Sequence, residues 1–214
     1  MPAPSPARIA VLLSGRGSNF LALHGAIERG ELPAEIVLVL SNVADAPGLA
    51  RARDLGLPAL AVPLAGEPSR EAHEAKVLAA IEAAGAEWVC LAGYMRLLSP
   101  RLVARHRHRI LNVHPSLLPA FPGVDAQRQA LEHGVKVTGC TVHLVDEGLD
   151  SGPIVVQRAV AVEDGDDVGT LSRRILAEEH RAYPQALARL ISEPWRIEGR
   201  RLVWGREEKA AGGG

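Results

Sequence analysis

The chain has little cysteine, no surplus of charge of either sign and no long uninterrupted apolar run. Its two cysteines, Cys90 and Cys140, each lie inside an apolar, strand-like stretch. There is no CxxC pair and no His-x-x-x-His spacing. Neither a disulfide scaffold nor a metal site is therefore expected, and both thiols read as small buried hydrophobes. Lysine and arginine number 24 against 25 acidic residues, for a formal net charge of −1. Charges so balanced and interspersed exclude the basic field of a dedicated nucleic-acid binder. Arg51, Arg53, Arg105, Arg107 and Arg109 are scattered and read as solvated helix faces. No apolar run reaches the roughly 20 residues of a membrane-spanning helix. Met1 to Ala7 is too short and proline-rich for a signal peptide. The expectation is a soluble, cytoplasmic protein with no metal, membrane or nucleic-acid partner.

What the chain does have is an alternation of apolar strands and helices. Arg8–Ser14 and Glu35–Ser41 are buried-strand patterns, separated by the turn Gly15–Asn19 and a helix over Phe20–Arg29. Pro47 opens a helix to Leu55, and Leu57–Val62 is a short third strand. Ser69 caps a helix to Ala84, and Glu87–Ala92 is a fourth strand. Pro100 starts a short helix, and Ile110–His114 is the fifth strand. Near-continuous apolar strands in this order predict a Rossmann-like α/β fold: an open, mainly parallel sheet with helices on both faces. After Pro115 the pattern changes. A short helix over Ala126–His133 is followed by strands Val137–Val145 and Ile154–Val162, expected to pair antiparallel, and by a long helix over Asp167–Ser192. Trp195–Ile197 and Arg201–Trp204 flank a turn and predict a terminal hairpin. With no repeat and no linker, the expectation is one domain over 8–204, with frayed ends 1–7 and 205–214.

The chemistry concentrates where the fifth strand ends. Asn112 and His114 share one face of a strand, because side chains alternate, and Pro115 stops that strand at once. In α/β sheets this is where ligands bind. The polar, Gly-rich loop Asp146–Pro153 places a carboxylate, Asp150, among glycines. An amide can donate to a carbonyl oxygen, an imidazolium can stabilise a developing oxyanion, and a carboxylate can accept a proton. The set suits acyl transfer to a substrate that brings its own amine; the alternative is a polar pair satisfied by a loop. His143, on a neighbouring strand, reads as a packing residue. The turn Ser14-Gly15-Arg16-Gly17-Ser18-Asn19 opens the first helix and suits a phosphate. Phe20 at the third fingerprint position and Ser41-Asn42 ending the second strand weigh against a dinucleotide. A tight turn that binds nothing is the other reading.

These residues lie in motifs that resemble the phosphoribosylglycinamide formyltransferases, the folate-dependent transformylases of purine biosynthesis. The matching pieces are SGRGSN at Ser14–Asn19, LSN at Leu40–Asn42, AGYMRLLSP at Ala92–Pro100 and LNVHPSLLPAFPG at Leu111–Gly123. TGCTVHLVDEGLDSGPIV at Thr138–Val155 and AEEHRAYP at Ala177–Pro184 complete the set, in family order, over nearly the whole chain. The resemblance implies the formyltransferase fold and transfer of a formyl group from 10-formyltetrahydrofolate, a cosubstrate, to the amine of glycinamide ribonucleotide. His114 is then the general acid and oxyanion stabiliser. Asp150 favours its charged form and helps to move the proton, and Asn112 holds the formyl oxygen. Gly17, Ser18 and Asn19 would bind the substrate phosphate and neighbouring groups. Glu179, with Leu176, Ala177 and Glu178 before it, would contact the ribonucleotide. The folate would lie along Met95, Arg96, Leu97 and Leu98 and the loop Asp146, Glu147, Gly148, Leu149 and Asp150, with Asn112 beside it and Arg70 contacting it. Leu118-Pro119 is a candidate cis peptide on the same footing. Tyr94 stands where the family has Phe, a change expected to touch packing rather than chemistry.

Three rivals differ in class. Methionyl-tRNA formyltransferase needs a further tRNA-binding domain and a basic surface. Formyltetrahydrofolate hydrolase uses water as acceptor and carries an extra N-terminal regulatory domain. A non-catalytic binding module would not need Asn112, His114 and Asp150 together. Monomer and homodimer are both open.

Overall fold

A computed structural model describes residues 5–205, so the expectation of frayed ends falls, over 1–4 and 206–214, outside the described residues. The first half alternates as expected: β1 (Ala7–Leu13), α1 (Ser18–Glu28), β2 (Ala34–Ser41), α2 (Pro47–Asp54), β3 (Ala59–Ala61), α3 (Arg70–Ala83), β4 (Trp88–Leu91), α4 (Pro100–Arg105) and β5 (Ile110–His114). Then follow α5 (Ala126–Glu132), β6 (Val137–Leu144), β7 (Ile154–Ala161), α6 (Val168–Ser192), β8 (Trp195–Glu198) and β9 (Arg201–Trp204).

All nine strands join one sheet in the order β3-β2-β1-β4-β5-β6-β7-β9-β8. β1 to β5 run parallel, whereas β6 is antiparallel to both β5 and β7. The terminal hairpin is not a free appendage: β9 pairs parallel with β7 at Ile154 and Arg201. Ala7 is the first residue of β1 and its N–H donates to the Pro33 carbonyl at 3.0 Å. Gly205 N–H donates to the Pro194 carbonyl at 2.9 Å.

Successive strand residues feed two cores. Ile9, Val11 and Leu13 pack with Leu23 of α1, Leu49 of α2, Ala130 of α5 and Leu187 of α6. Ala10 and Leu12 pack with Val77 and Ile81 of α3 and Leu102 of α4. A strand buried on both faces has to be apolar throughout, which explains the unbroken run in β1. Burying each Leu in this way stabilises by about 1.5–3 kcal/mol. The strand order reverses between β1 and β4, and at such a switch point the loops leaving the strands diverge and open a crevice. α6 starts at a capping box: Asp167 Oδ1 accepts from Thr170 N–H at 2.6 Å, and Thr170 Oγ1 accepts from Asp167 N–H at 2.8 Å. No helix among the described residues is long and apolar enough to cross a membrane.

Candidate active site

In β5, Leu111 and Val113 belong to the core on the α6 side of the sheet. Alternation therefore sends Asn112 and His114 to the α3–α4 side. The antiparallel register of β6 sets His143 directly opposite Asn112. The Asn112 amide nitrogen lies 3.1 Å from His143 Nε2, and His143 Nδ1 lies 3.1 Å from the Leu144 carbonyl. A carbonyl only accepts, so the imidazole proton is assigned to Nδ1, and Nε2 accepts from Asn112. Burial lowers the pKa of His143, in keeping with a neutral ring. Its Nε2 is 3.7 Å from Asp150 Oδ1, which is then a contact of two acceptors and not an ion pair. One amide hydrogen of Asn112 goes to His143, and the other is left to donate into the cleft. The packing role expected for His143 is thus corrected: it orients Asn112. The signal was in the chain, since Cys140, Val142 and Leu144 form the core face of β6 and leave Thr141 and His143 on the other.

His114 is buried at 4% exposure, and its Nε2 lies 2.8 Å from the Phe121 carbonyl. That carbonyl commits the Nε2 proton and leaves Nδ1 as the atom that can gain or lose one. Nδ1 faces Asp150 Oδ2 at 3.4 Å, and the same oxygen accepts from Gly123 N–H at 2.8 Å. Two of these partners sit at positive φ, Phe121 at 53° and Asp150 at 48°. Such backbone costs about 1–3 kcal/mol per residue. It is tolerated here where it aims a carbonyl and a carboxylate at one ring. Behind them the peptide Leu118-Pro119 is cis. Thr141 Oγ1 donates to the Ser116 carbonyl at 2.7 Å and accepts from Leu118 N–H at 3.0 Å, tying this loop to β6.

The cleft above these groups has a volume of about 850 Å³, within the range of small-molecule sites. One wall is the loop Met95, Arg96, Leu97 and Leu98; the other is Asp146, Glu147, Gly148, Leu149 and Asp150; Asn112, His114 and His143 form the floor. Met95, Leu97 and Leu149 are exposed, apolar surface that a ligand would cover. Arg70 lines the cleft and donates to the Leu97 carbonyl. Asp146 Oδ1 accepts from Gly148 N–H at 3.1 Å and Ser151 Oγ at 2.7 Å, holding the second wall. At Gly152 a Cβ would lie 1.9 Å from the Leu144 carbonyl, so only glycine lets the chain pass there. Tyr94 also lines the cleft, and burial pushes its phenol up to about 12, so it stays neutral.

The remaining expected residues lie on the α1–α6 side. Gly17, at φ 73°, turns the chain into α1, which therefore begins at Ser18 rather than Phe20. A Cβ on Gly17 would lie 3.0 Å from Gly48 Cα. Asn19 Nδ2 donates to Glu179 Oε2 at 2.7 Å, and both side chains are buried. Asn19 Oδ1 has no partner among the described residues. Glu178, by contrast, turns to Arg158 at 3.5 Å and Arg181 at 2.7 Å, Leu176 is half-buried, and Ala177 is exposed. The turn therefore meets Glu179 but not Glu178.

Burial raises the Glu179 carboxyl above its ordinary value of 4.5, against the hydrogen bond from Asn19, which lowers it. An acid raised in the folded state stabilises fully below its unfolded pKa and loses that contribution as pH rises through the folded one. Glu179→Gln keeps an acceptor for Asn19 and cannot ionise. Its melting temperature should rise relative to the parent as pH is raised above 4.5. Each kilocalorie relieved is worth about 2–4 °C in a domain of this size. Parallel melting curves across pH would count against a buried carboxylate.

Comparison with known proteins bears on what this arrangement is for. The formyl transferase family matches residues 7–187. The chain is 42% identical over 207 residues to phosphoribosylglycinamide formyltransferase of Mycobacterium tuberculosis, covering 97% of this chain and 95% of that one. It is 50% identical over 187 residues to the trifunctional purine biosynthetic protein adenosine-3 of Drosophila pseudoobscura pseudoobscura, covering 86% of this chain but spanning only 14% of that protein's length. Among solved structures, glycinamide ribonucleotide transformylase 1 from Symbiobacterium toebii superposes with a TM-score of 0.91 at 52% identity, covering 93% of this chain and 94% of that one.

Proposed function

The chain belongs to the formyl transferase family, and from that premise we propose that it transfers the formyl group of 10-formyltetrahydrofolate to the amine of 5'-phosphoribosylglycinamide. The products are N-formylglycinamide ribonucleotide and tetrahydrofolate, a step of purine biosynthesis. The single observation that carries the reading is the convergence on one cleft of an amide donor, Asn112, and an imidazole, His114, with Nδ1 turned 3.4 Å from a carboxylate, Asp150.

The substrate amine attacks the formyl carbon, and the formyl oxygen becomes an oxyanion. The free amide hydrogen of Asn112 and a proton on His114 Nδ1 stabilise it, in a site where such donors are worth most. Asp150 holds the imidazolium and takes up the proton released by the amine. Collapse of the intermediate breaks the bond to the folate nitrogen, which leaves with the proton that Asp150 took from the amine, so the carboxylate is restored. No enzyme nucleophile is required.

The cleft between Met95–Leu98 and Asp146–Asp150, with Arg70 at its rim, takes the folate: Met95, Leu97 and Leu149 offer exposed apolar surface, and Arg96, Asp146 and Glu147 stand beside it as polar groups. Gly17, Ser18 and Asn19 take the ribonucleotide phosphate and its neighbours at the start of α1, where backbone N–H groups favour an anion. Glu179 takes the ribose side, and the unpartnered Asn19 Oδ1 supports a polar ligand there. Leu176, Ala177 and Glu178 contribute position along α6 more than contact.

The test is release of tetrahydrofolate from 10-formyltetrahydrofolate with and without glycinamide ribonucleotide. Turnover that requires the ribonucleotide is expected. Turnover with water alone would replace the reading with a hydrolase, and none in either case would leave a binding module.

A further inference from the structure

The motif at Ala177–Pro184 has a residue that the chemistry above does not use. Tyr183 is fully buried on α6, one turn beyond Glu179. Its hydroxyl is 3.0 Å from the Leu91 carbonyl and 2.9 Å from the Leu111 carbonyl. These belong to the last residue of β4 and to the residue before Asn112 in β5, two adjacent parallel strands. One hydroxyl hydrogen is thus shared between two strands at the point where both open into the cleft. Burial holds the phenol well above its ordinary range, so it remains a donor. Pro184, next in the helix, offers no N–H to the His180 carbonyl and interrupts the helical ladder here. Residues three and four apart share a helix face. One face of α6 therefore holds the Asn19 turn through Glu179 and the ends of β4 and β5 through Tyr183.

We propose that Tyr183 is a positioning residue: it locks the ends of β4 and β5, and with them Asn112 and His114, to the helix that carries Glu179. It touches neither substrate. Its effect belongs in the geometry of the reacting groups, so it should be felt in the chemical step rather than in binding. The inference rests on the formyl-transfer reading, and two measurements separate them.

Tyr183→Phe keeps the ring and removes the shared hydrogen. It is expected to lower kcat about tenfold or more, with KM for both substrates within about twofold of the parent. Ala186→Gly, a helix-interior change on the same element, should lower the melting temperature while leaving kcat intact. A Tyr183→Phe kcat equal to the parent would overturn the proposal. So would an equal loss in Ala186→Gly, since a loosened helix would then be enough. Amide hydrogen exchange without substrates supplies the second readout. Peptides spanning 88–93 and 110–114 should exchange faster in Tyr183→Phe, with β2 unchanged. If the parent protein shows no formyl transfer, faster exchange at those ends still supports the lock and leaves the reaction as the failed part. Unchanged exchange overturns the lock itself.

Discussion

His114→Ala is expected to lower turnover by about 10²–10⁴-fold, the usual contribution of a positioned acid or base, while the protein stays folded and still binds the ribonucleotide. The ring meets the Phe121 carbonyl through one nitrogen and Asp150 through the other, so no rotation lets a neighbour replace it. Truncation leaves the Phe121 carbonyl with only Ser116 Oγ, 3.4 Å away. A buried acceptor so weakly paired costs about 1–3 kcal/mol, a drop of a few degrees in melting temperature, which the folded protein should survive. Asn19 and Glu179 lie across the sheet and should be undisturbed. Single-turnover rates with calorimetric titration of the ribonucleotide separate the effects. A rate within a few fold of the parent would remove His114 from the mechanism.

Asp150→Asn should cost nearly as much. The amide is nearly isosteric, and its carbonyl oxygen can still accept from Gly123 N–H, so the strained loop keeps its anchor. What disappears is the negative charge 3.4 Å from His114 Nδ1. The imidazolium loses its partner, and the attacking amine loses an acceptor for its proton. We expect kcat to fall about 10²-fold. The Gly123 anchor predicts a small change in melting temperature. A large loss of stability with a normal rate per folded molecule would assign Asp150 to the loop and not to the reaction.

Much of this was legible in the chain for definite reasons. β1, β2, β4 and β5 are apolar because both faces are covered, and that pattern needs no partner to be recognised. Asn112 and His114 declare a common face by alternation, and Pro115 declares the strand end. The partners of these residues are another matter. His114 is satisfied by the carbonyl of Phe121 in a left-handed backbone conformation, which an aromatic side chain does not announce. His143 becomes an orienting group only once the antiparallel register sets it against Asn112, although alternation in β6 already placed it away from the core. The pairing of β9 with β7 is a long-range contact without local signature. The cis peptide at Leu118-Pro119 and the α6 residues expected to bind came from resemblance alone. Of those, Glu179 meets the turn at Asn19, whereas Glu178 is occupied by two arginines.

The sheet stands as a wall between the two groups of residues: the cleft of Met95–Leu98 and Asp146–Asp150 opens on the α3–α4 side, and the Asn19–Glu179 pair lies on the α1–α6 side. On the proposed function, neither ligand would cross the other's path until both reach the rim at the end of β5. Loading therefore needs no fixed sequence, and initial-rate plots against either substrate should intersect as a random sequential mechanism requires. A parallel pattern would mean a formyl-enzyme and would count against direct attack by the substrate amine.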